Sequence, residues 1–412
     1  MTAARAARSA HVRRRVALVL TVTIGLVVAT PTPPAAASEC AGGPRVAAGM
    51  RFQAMCAGVA DLLLDADIGE ADTAMLRDQV AVDIDAVEDD FGMRFDARPQ
   101  IHVLSTTARY AAALHALFGY PDATARWVAD NSVSFFEPSN REIAVNWEAI
   151  RERRPIAAIR HELTHLLTVH ACAPRCDLVP AWLNEGEARY AEAMTAGSEW
   201  RVLRMRYEAA SLAATRSLLP LTSLVRQESW NAITGWDGYY KYQEAARVME
   251  LLRADVGASP IERLYERIRQ GEDVASAYAS LSGNTFASFV ATLPDRLLAD
   301  AQAPGIATAR GTPDGAGVSY VLYGFDPGSE LALTIASAHS ASTQRVQVSP
   351  RGTTFAWLGD DLPRGTYTLT AASAEICVSV TVAKGGRRPI LDPDAGAPVR
   401  GCAREPFASR AF

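Results

Sequence analysis

The strongest constraint on the fold is a pair of histidines four residues apart inside an apolar helical pattern. His161 and His165 stand in the run His-Glu-Leu-Thr-His, and isoleucine and leucine recur around them at helical spacing. Residues at positions i and i+4 lie on one face of a helix, so both imidazoles can reach the same point. The sequence therefore predicts a packed helix that carries two potential metal ligands.

This spacing suggests a role for each residue of the run. Two imidazoles can bind one zinc ion, and a catalytic zinc site adds a third protein ligand and keeps a fourth position open. Glu162 follows the first histidine and points beside the metal, where it can take a proton from an activated water. The five-residue pattern is weak evidence by itself, so the surrounding sequence has to support it.

A second motif begins shortly after the histidines. Residues 182–188 read Trp-Leu-Asn-Glu-Gly-Glu-Ala, and nineteen residues separate His165 from Glu185. The two motifs together resemble the gluzincin clan of zinc peptidases, whose third zinc ligand is a glutamate on the next helix. The sequence of residues 182–188 is similar to Trp-Leu-Asn-Glu-Gly-Phe-Ala, which occurs in the aminopeptidase N family. The resemblance implies that Glu185 is the third ligand of a single Zn²⁺ ion, with Glu162 as general base.

The resemblance also implies a tyrosine that stabilises the oxyanion. Residues 242–252 resemble the helix of the aminopeptidase N family that starts with this tyrosine, which makes Tyr242 the expected residue. The Lys-Gly pair that usually follows is absent here, and Tyr239 and Tyr240 are close alternatives. The resemblance extends over residues 75–300. Its specific motifs lie only at residues 161–165 and 182–192, with a weaker match at residues 242–252.

Three polar side chains near the motifs allow more than one interpretation. Glu192 lies seven residues after Glu185 on the same helical face, where it either supports a ligand histidine by a hydrogen bond or is solvated. Glu187 points elsewhere and is expected to face solvent. His170 lacks the preceding glycine found in metzincins and is expected at a helix end or on the surface.

One departure from the aminopeptidase N family concerns substrate recognition. The exopeptidases of that family carry an upstream Gly-x-Met-Glu-Asn segment that grips the free amine of the substrate. The corresponding residues 136–146 contain no such motif. The extended run Glu142–Asn146 is instead expected to pair with a peptide or protein substrate through backbone hydrogen bonds, which favours an endopeptidase.

The N-terminal 37 residues predict export. Five arginines precede an apolar run over residues 16–29, and Ala35-Ala36-Ala37 follows, as in a secretory signal peptide cleaved near Ala37. An uncleaved anchor is the alternative, although the run is shorter than the about 20 residues of a membrane span. Cleavage removes five arginines and no acids, so the net charge falls from −5 to −10. Such an acidic, extracytoplasmic chain is not expected to bind nucleic acid, and no later segment predicts a membrane span.

The six cysteines all follow this predicted signal peptide. Nearest-neighbour pairing gives the expected disulfides Cys40–Cys56, Cys172–Cys176 and Cys377–Cys402. The alternative for Cys172 and Cys176 is metal ligation, but a structural zinc site would need two more ligands close by. Export favours oxidation, and the disulfide is therefore preferred.

Periodicity predicts an α+β fold. Helices are expected over residues 71–91, 110–120, 155–169, 180–193, 203–212, 239–254, 261–269 and 285–299. Strands are expected over residues 100–104, 132–136, 142–145, 319–323, 330–335, 345–348, 354–358, 366–371 and 378–382. The runs over residues 132–136 and 142–145 predict a hairpin.

These elements suggest a zincin-like catalytic domain, with a small mixed sheet and a helical lobe, followed by a small β-sandwich. The expected segments are a signal peptide (1–37), a loose lead-in or propeptide (38–70), a gluzincin-like peptidase domain (71–303), an immunoglobulin-like sandwich (304–384) and a loose tail (385–412). The expected function is a secreted zinc-dependent endopeptidase. A catalytically silent zincin scaffold, a cell-envelope binding protein and a non-peptidase zinc hydrolase remain alternatives.

Overall fold

The computed structural model describes most of the chain that follows residue 41. The described residues are 42–138, 141–151, 156–195, 200–214, 216–257, 259–299, 305–310, 318–323, 325–337, 339–349, 354–358, 365–371, 376–382 and 399–400. The predicted signal peptide and the predicted partner cysteines Cys40 and Cys402 lie outside them.

A six-stranded mixed sheet forms the first part of the fold. Its strands are β1 (Gly43–Ala47), β2 (Met50–Ala57), β3 (Ala60–Leu64), β4 (Gln100–Leu104), β5 (Ser134–Glu137) and β6 (Glu142–Asn146). Their spatial order is β1-β2-β3-β4-β6-β5. The central strands β3, β4 and β6 are parallel, and the remaining neighbours pair antiparallel. The strand β5 is therefore the last strand at one edge.

The expectation of a loose lead-in was wrong for residues 43–64. This segment supplies β1, β2 and β3, which are half of the sheet. Along β2, buried and exposed residues alternate from Met50 to Ala54, as a strand with one covered face requires. Gly49 and Gly58 have positive φ angles of 77° and 56° and form the two tight turns between these strands. Gly49 and Gly58 are therefore turn residues within an ordered sheet.

Twelve α-helices are present in the described residues. They are α1 (Glu70–Phe91), α2 (Thr107–Phe118), α3 (Asp122–Asn131), α4 (Trp147–Ile150), α5 (Ala157–Cys172), α6 (Ala181–Ala193), α7 (Trp200–Ala214), α8 (Gln227–Ala232), α9 (Gly235–Val256), α10 (Pro260–Arg269), α11 (Val274–Ser282) and α12 (Phe286–Leu298). Each of the eight predicted helices has a counterpart here, whereas α3, α4, α8 and α11 were not predicted.

Helices cover both faces of the sheet. Leu62 and Val103 belong to a large core that they share with α1, α5, α6 and α9. The neighbouring residues Leu63 and Leu104 point to the opposite face, where they pack with α2 and α3. This alternation follows from the two-residue period of a strand. The region therefore has three layers, with the helical lobe built onto the face that carries α5.

The region after residue 304 consists of antiparallel strands. These are β7 (Gly305–Arg310), β8 (Val318–Tyr323), β9 (Glu330–Ala336), β10 (Ala341–Gln347), β11 (Thr354–Leu358), β12 (Gly365–Ala371), β13 (Ile376–Val382) and β14 (Val399–Arg400). They form a five-stranded sheet of order β10-β9-β12-β13-β14 and a three-stranded sheet of order β11-β8-β7. The six predicted strands are confirmed. The tail was expected to be loose apart from Cys402, but its residues 399–400 pair antiparallel with β13.

The fold class is therefore mixed α and β, with a six-stranded mixed sheet, a helical lobe and small antiparallel sheets. Among the described residues, none of the helices combines the length and the hydrophobicity that crossing a bilayer requires.

Candidate metal centre

The helix α5 brings the two histidines of the first motif together. Its apolar residues Ile159, Leu163 and Leu167 are buried in the core and fix the rotation of the helix. On the other face, Nε2 of His161 lies 3.1 Å from Nε2 of His165. Two nitrogens bound to one tetrahedral zinc at about 2.0–2.1 Å lie about 3.3 Å apart, so the observed pair matches this geometry closely.

The helix α6 supplies the third donor. Oε2 of Glu185 lies 3.8 Å from Nε2 of His161 and 3.7 Å from Nε2 of His165. The donor atoms of these three residues all lie within 4.8 Å of one another. The set of two imidazole nitrogens and one carboxylate oxygen fits a zinc site with an open fourth position. The structure thus contains a possible metal-binding triad at the predicted positions.

Gly186 fixes the position of the third donor, because it allows an unusually close approach of α6 to α9. A Cβ atom at this position would lie 2.7 Å from the carbonyl oxygen of Ala245 and 2.9 Å from its carbonyl carbon. Both are backbone atoms in the middle of a helix, so they cannot move aside without displacing α9. Glycine next to Glu185 is therefore a packing requirement.

Both histidines have a polar partner on the ring nitrogen that faces away from the triad. Nδ1 of His165 lies 3.0 Å from Oδ1 of Asn184, and Nδ1 of His161 lies 3.5 Å from Oε2 of Glu192. Such partners hold a ligand imidazole in one orientation and tautomer. Glu192 is thus directed towards a ligand histidine rather than solvated, in line with the first of its two interpretations.

Glu192 is itself held by two arginines. Its carboxylate contacts Arg189 at 2.6 Å and Arg201 at 3.1 Å. Burial opposes ionisation of Glu192, but Arg189, His161 and Arg201 outweigh it and hold the pKa well below its usual range. For His161 burial lowers the pKa, and the surrounding carboxylates, Glu192 first, raise it above its usual value overall. The side chain beside His161 is therefore an anion in a fixed position.

Glu162 lies between the triad and the edge of the sheet. The hydroxyl of Ser134 in β5 donates a hydrogen bond of 2.7 Å to Oε1 of Glu162, whose side chain is largely buried. The ring of Phe136, two residues further along β5, stacks against His165. The edge strand therefore contacts both the expected base and a metal ligand.

The expectation that Glu142–Asn146 pairs with a substrate was wrong. This strand is β6, which lies between β4 and β5, so both of its edges are already paired. The outer strand is β5. The N–H of Asn146 donates to the carbonyl of Val133, so alternate residues starting from Val133 bond to β6. The backbone groups of Ser134 and Phe136 consequently point to the outer side.

The three tyrosine candidates have different environments. Tyr239 donates to Glu208 at 2.6 Å, and the hydroxyl of Tyr240 lies 3.0 Å from that of Ser349. Tyr242 is half-buried against the indole of Trp230. Burial and the nearby Glu185 raise the pKa of Tyr242, and Glu162 contributes. The phenol of Tyr242 thus senses the carboxylates of the centre, whereas that of Tyr239 bonds to Glu208.

The expectation that Glu187 faces solvent was wrong. Its side chain is fully buried and contacts the guanidinium of Arg253, which also contacts Asp90. Burial raises the pKa of Glu187, and Arg253 opposes that rise. Residues two apart on a helix point to different sides. Glu185 lies on the face of α6 that forms the triad, and Glu187 therefore lies on the opposite face.

Two other sequence-based expectations concern the end of α5. His170 lies 3.1 Å from Asp96 and takes no part in the triad, as its position at the helix end predicts. Cys172 and Cys176 form a disulfide, which removes them as metal ligands. This predicted disulfide is confirmed, and the turn that leads from α5 towards α6 is covalently closed.

Sequence reasoning missed the roles of Ser134, Gln227 and the two arginines beside Glu192. Gln227 in α8 donates to Oε1 of Glu185 at 3.0 Å. Asn184 stands inside the second motif, so that motif could have indicated its contact with His165. No local pattern marks Ser134 or Gln227, because each contacts a residue 28 or 42 positions away.

Comparison with known proteins adds no relative. A scan against protein-family profiles found no match for this chain. A search of curated protein sequences found no match either.

Proposed function

We propose that this chain is a secreted zinc-dependent endopeptidase with a gluzincin-like catalytic domain. The observation that carries the proposal is the convergence of donor atoms from His161, His165 and Glu185, with the carboxylate of Glu162 next in sequence to the first ligand. The resemblance of the two motifs to the aminopeptidase N family supports zinc as the metal. The predicted signal peptide supports export.

Bound by the triad, zinc would supply a Lewis acid that acidifies water and polarises a peptide carbonyl. The proton transfers are assigned to Glu162, which accepts a proton from the attacking water and passes it to the leaving amine. Ser134 occupies Oε1 of this carboxylate and leaves Oε2 for the transfer. Tyr242 keeps its proton at neutral pH, as any tyrosine with an ordinary or raised pKa does, and it is assigned as a hydrogen-bond donor to the developing oxyanion.

The edge strand β5 supports a peptide as the substrate. The outward backbone groups of Ser134 and Phe136 can pair with an extended chain, and the side chains of the same residues contact Glu162 and His165. A peptide added to this edge would therefore pass the centre with its backbone in register. Backbone pairing needs no free terminus, which is why we propose an endopeptidase.

The test uses the mature chain and its Glu162→Gln variant. We expect about one zinc per chain in both proteins by elemental analysis, because glutamine leaves the triad intact. We expect the variant to cleave an internally quenched peptide library about 10²- to 10⁴-fold more slowly, because it lacks the base. Peptides blocked at both termini should remain substrates of the wild type.

A matched control is Glu266→Gln, which alters a partly exposed glutamate on α10 and should keep both zinc and activity. Full peptidase activity in a zinc-loaded Glu162→Gln protein would disprove the assignment of the base. A folded wild type that contains no zinc and cannot be loaded with it would disprove the metallopeptidase as a whole.

A further inference from the structure

The two oxygens of the Glu185 carboxylate have different neighbours. Oε2 faces the ring nitrogens of His161 and His165 at 3.8 Å and 3.7 Å. Oε1 accepts a hydrogen bond of 3.0 Å from Nε2 of Gln227. The carboxylate is therefore held with one oxygen towards the position of a metal and the other towards a neutral donor.

The amide of Gln227 can satisfy this contact in only one orientation. Its Nε2 also donates to Oδ1 of Asn231 at 3.2 Å, one turn along α8. An ionised carboxylate only accepts hydrogen bonds, so a flipped amide would place its oxygen against an oxygen of Glu185. Both N–H groups of the amide are used, and the orientation is fixed by its partners.

The backbone fastens Gln227 to the ligand helix. The N–H groups of Ala181 and Trp182, which begin α6, donate to the carbonyls of Val225 and Leu224 at 2.8 Å and 3.0 Å. These bonds satisfy N–H groups that a helix start leaves without partners. Glu185 lies one turn further along α6. The residues that precede Gln227 are therefore hydrogen-bonded to the helix turn that precedes the third ligand.

The far end of α8 is fixed as well. Nζ of Lys241, which is buried in α9, donates to the carbonyls of Trp230 and Ile233 at 2.5 Å and 3.0 Å. A lysine that bonds the last carbonyls of a helix also interacts favourably with its dipole. Both ends of α8 are thus anchored to the two helices that carry Glu185 and Tyr242.

We propose that Gln227 is a positioning residue that restricts Glu185 to a one-oxygen contact with the metal. This inference rests on the proposed zinc centre. A carboxylate can bind a metal through one oxygen or through both, and the second oxygen would occupy the position that water and substrate need. By holding Oε1, Gln227 keeps that position open and orients Oε2. Loss of such a partner weakens metal binding by about 10- to 100-fold.

The test compares Gln227→Met with Gln270→Met in the mature full-length chain. Gln270 is an exposed glutamine that also donates to a glutamate, Glu266, on a helix without metal ligands. Zinc affinity is measured by competition with a chromogenic chelator. Coordination is followed by the visible absorption of the Co²⁺-substituted protein, which responds to the number of bound oxygens.

We expect Gln227→Met to bind zinc about 10- to 100-fold more weakly and Gln270→Met to bind it like the wild type. The cobalt bands of Gln227→Met should lose intensity as the second oxygen of Glu185 joins the metal. Gln227 is exposed, so the metal-free variant should unfold at the wild-type temperature. Gln227→Asn carries an amide that is one methylene too short to reach Glu185. It should therefore also bind zinc more weakly and lose cobalt band intensity.

Wild-type affinity and wild-type cobalt bands in both Gln227 variants would overturn the proposal. That outcome, in a chain that binds zinc and cleaves peptides, would leave the proposed function intact. A wild type that binds neither zinc nor cobalt would instead remove the proposed function and this inference together.

Discussion

Glu185 and Glu187 stand two residues apart on α6, and they show how the same side chain is used differently on two faces of one helix. Both are largely inaccessible, with 8% and 0% of their surface exposed. Glu187 contacts Arg253, a cation that the fold itself provides. Glu185 contacts two imidazoles and an amide. The charge of Glu187 is paired within the chain, whereas Glu185 belongs to the possible metal-binding triad.

A third buried glutamate extends this comparison. Glu244 on α9 is fully buried and accepts the N–H of Leu219 through one oxygen, and its Oε1 has no hydrogen-bond partner among the described residues. Burial raises its pKa to about 8, so it stays protonated at neutral pH. The three glutamates are all buried, and they differ in their contacts. Glu187 contacts an arginine, Glu185 contacts the two histidines of the triad, and Glu244 accepts a backbone N–H and stays protonated.

The largest effect on stability is expected from Arg253→Met, which removes the guanidinium that pairs with Glu187. Glu187 would lose its ion-pair partner while it remains enclosed, and breaking a buried pair costs about 3 to 5 kcal/mol. The free energy of unfolding, measured with denaturant at neutral pH on metal-free protein, should fall by that amount.

The double variant Glu187→Leu/Arg253→Met is the control, because a buried pair replaced by apolar residues of similar size is often neutral. It should recover most of the lost stability. If Arg253→Met alone unfolds at the wild-type denaturant concentration, the comparison of the two faces fails.

A smaller effect is expected for the neutral acid, and it depends on pH. The pKa of Glu244 is raised in the folded state. The folded state therefore binds more protons than the unfolded state at pH values between the ordinary pKa of a glutamate and about 8. Its stabilising contribution is complete at low pH and is lost as the pH rises through about 8. From pH 5 to pH 8 the wild type should therefore lose about 3 kcal/mol relative to Glu244→Gln.

Thermal or denaturant unfolding of both proteins at these two pH values checks this difference. Glutamine keeps an acceptor oxygen for Leu219 and cannot ionise, which makes it the matched replacement. Identical pH slopes in the two proteins would show that Glu244 is not held neutral.

The smallest effect is expected from Gly186→Ala, which tests the residue between the two acids. The added methyl group meets the backbone of Ala245 at 2.7 Å, and overpacking of this kind costs about 1 to 3 kcal/mol. The better helix propensity of alanine returns about 1 kcal/mol, so a net loss of about 1 kcal/mol remains.

Zinc affinity should fall in Gly186→Ala as well, because any shift of α6 moves Glu185. Gly69→Ala is the control, since a Cβ atom there would have nothing within 4 Å. Unchanged stability and zinc affinity in Gly186→Ala would mean that the helices separate without cost.

Local patterns in the sequence were sufficient to predict the elements that carry the centre. Apolar spacing predicted α5 and α6, and the two motifs predicted that His161, His165 and Glu185 lie together. Six of the eight C-terminal strands followed from their alternation.

The missed features depend on contacts between distant residues. The burial of Glu187 depends on Arg253, 66 positions later, and the support of Glu162 depends on an edge strand 28 positions earlier. Strands β1 and β2 were missed because glycine and alanine weaken the alternation that a strand shows in sequence. Strand β3 shows no alternation, because all five of its residues are buried. Neither kind of feature has a local signature.

The hydroxyl contact between Tyr240 and Ser349 has a consequence for how the C-terminal region can be studied. Tyr240 is 2% exposed, and it lies on α9 only two residues before Tyr242. A chain shortened to end before β7 would lack Ser349 and would therefore lose this contact with α9. Assays on such a fragment would combine the loss of this contact with the loss of the β-sheets. A Ser349→Ala variant removes the contact alone and therefore separates the two effects.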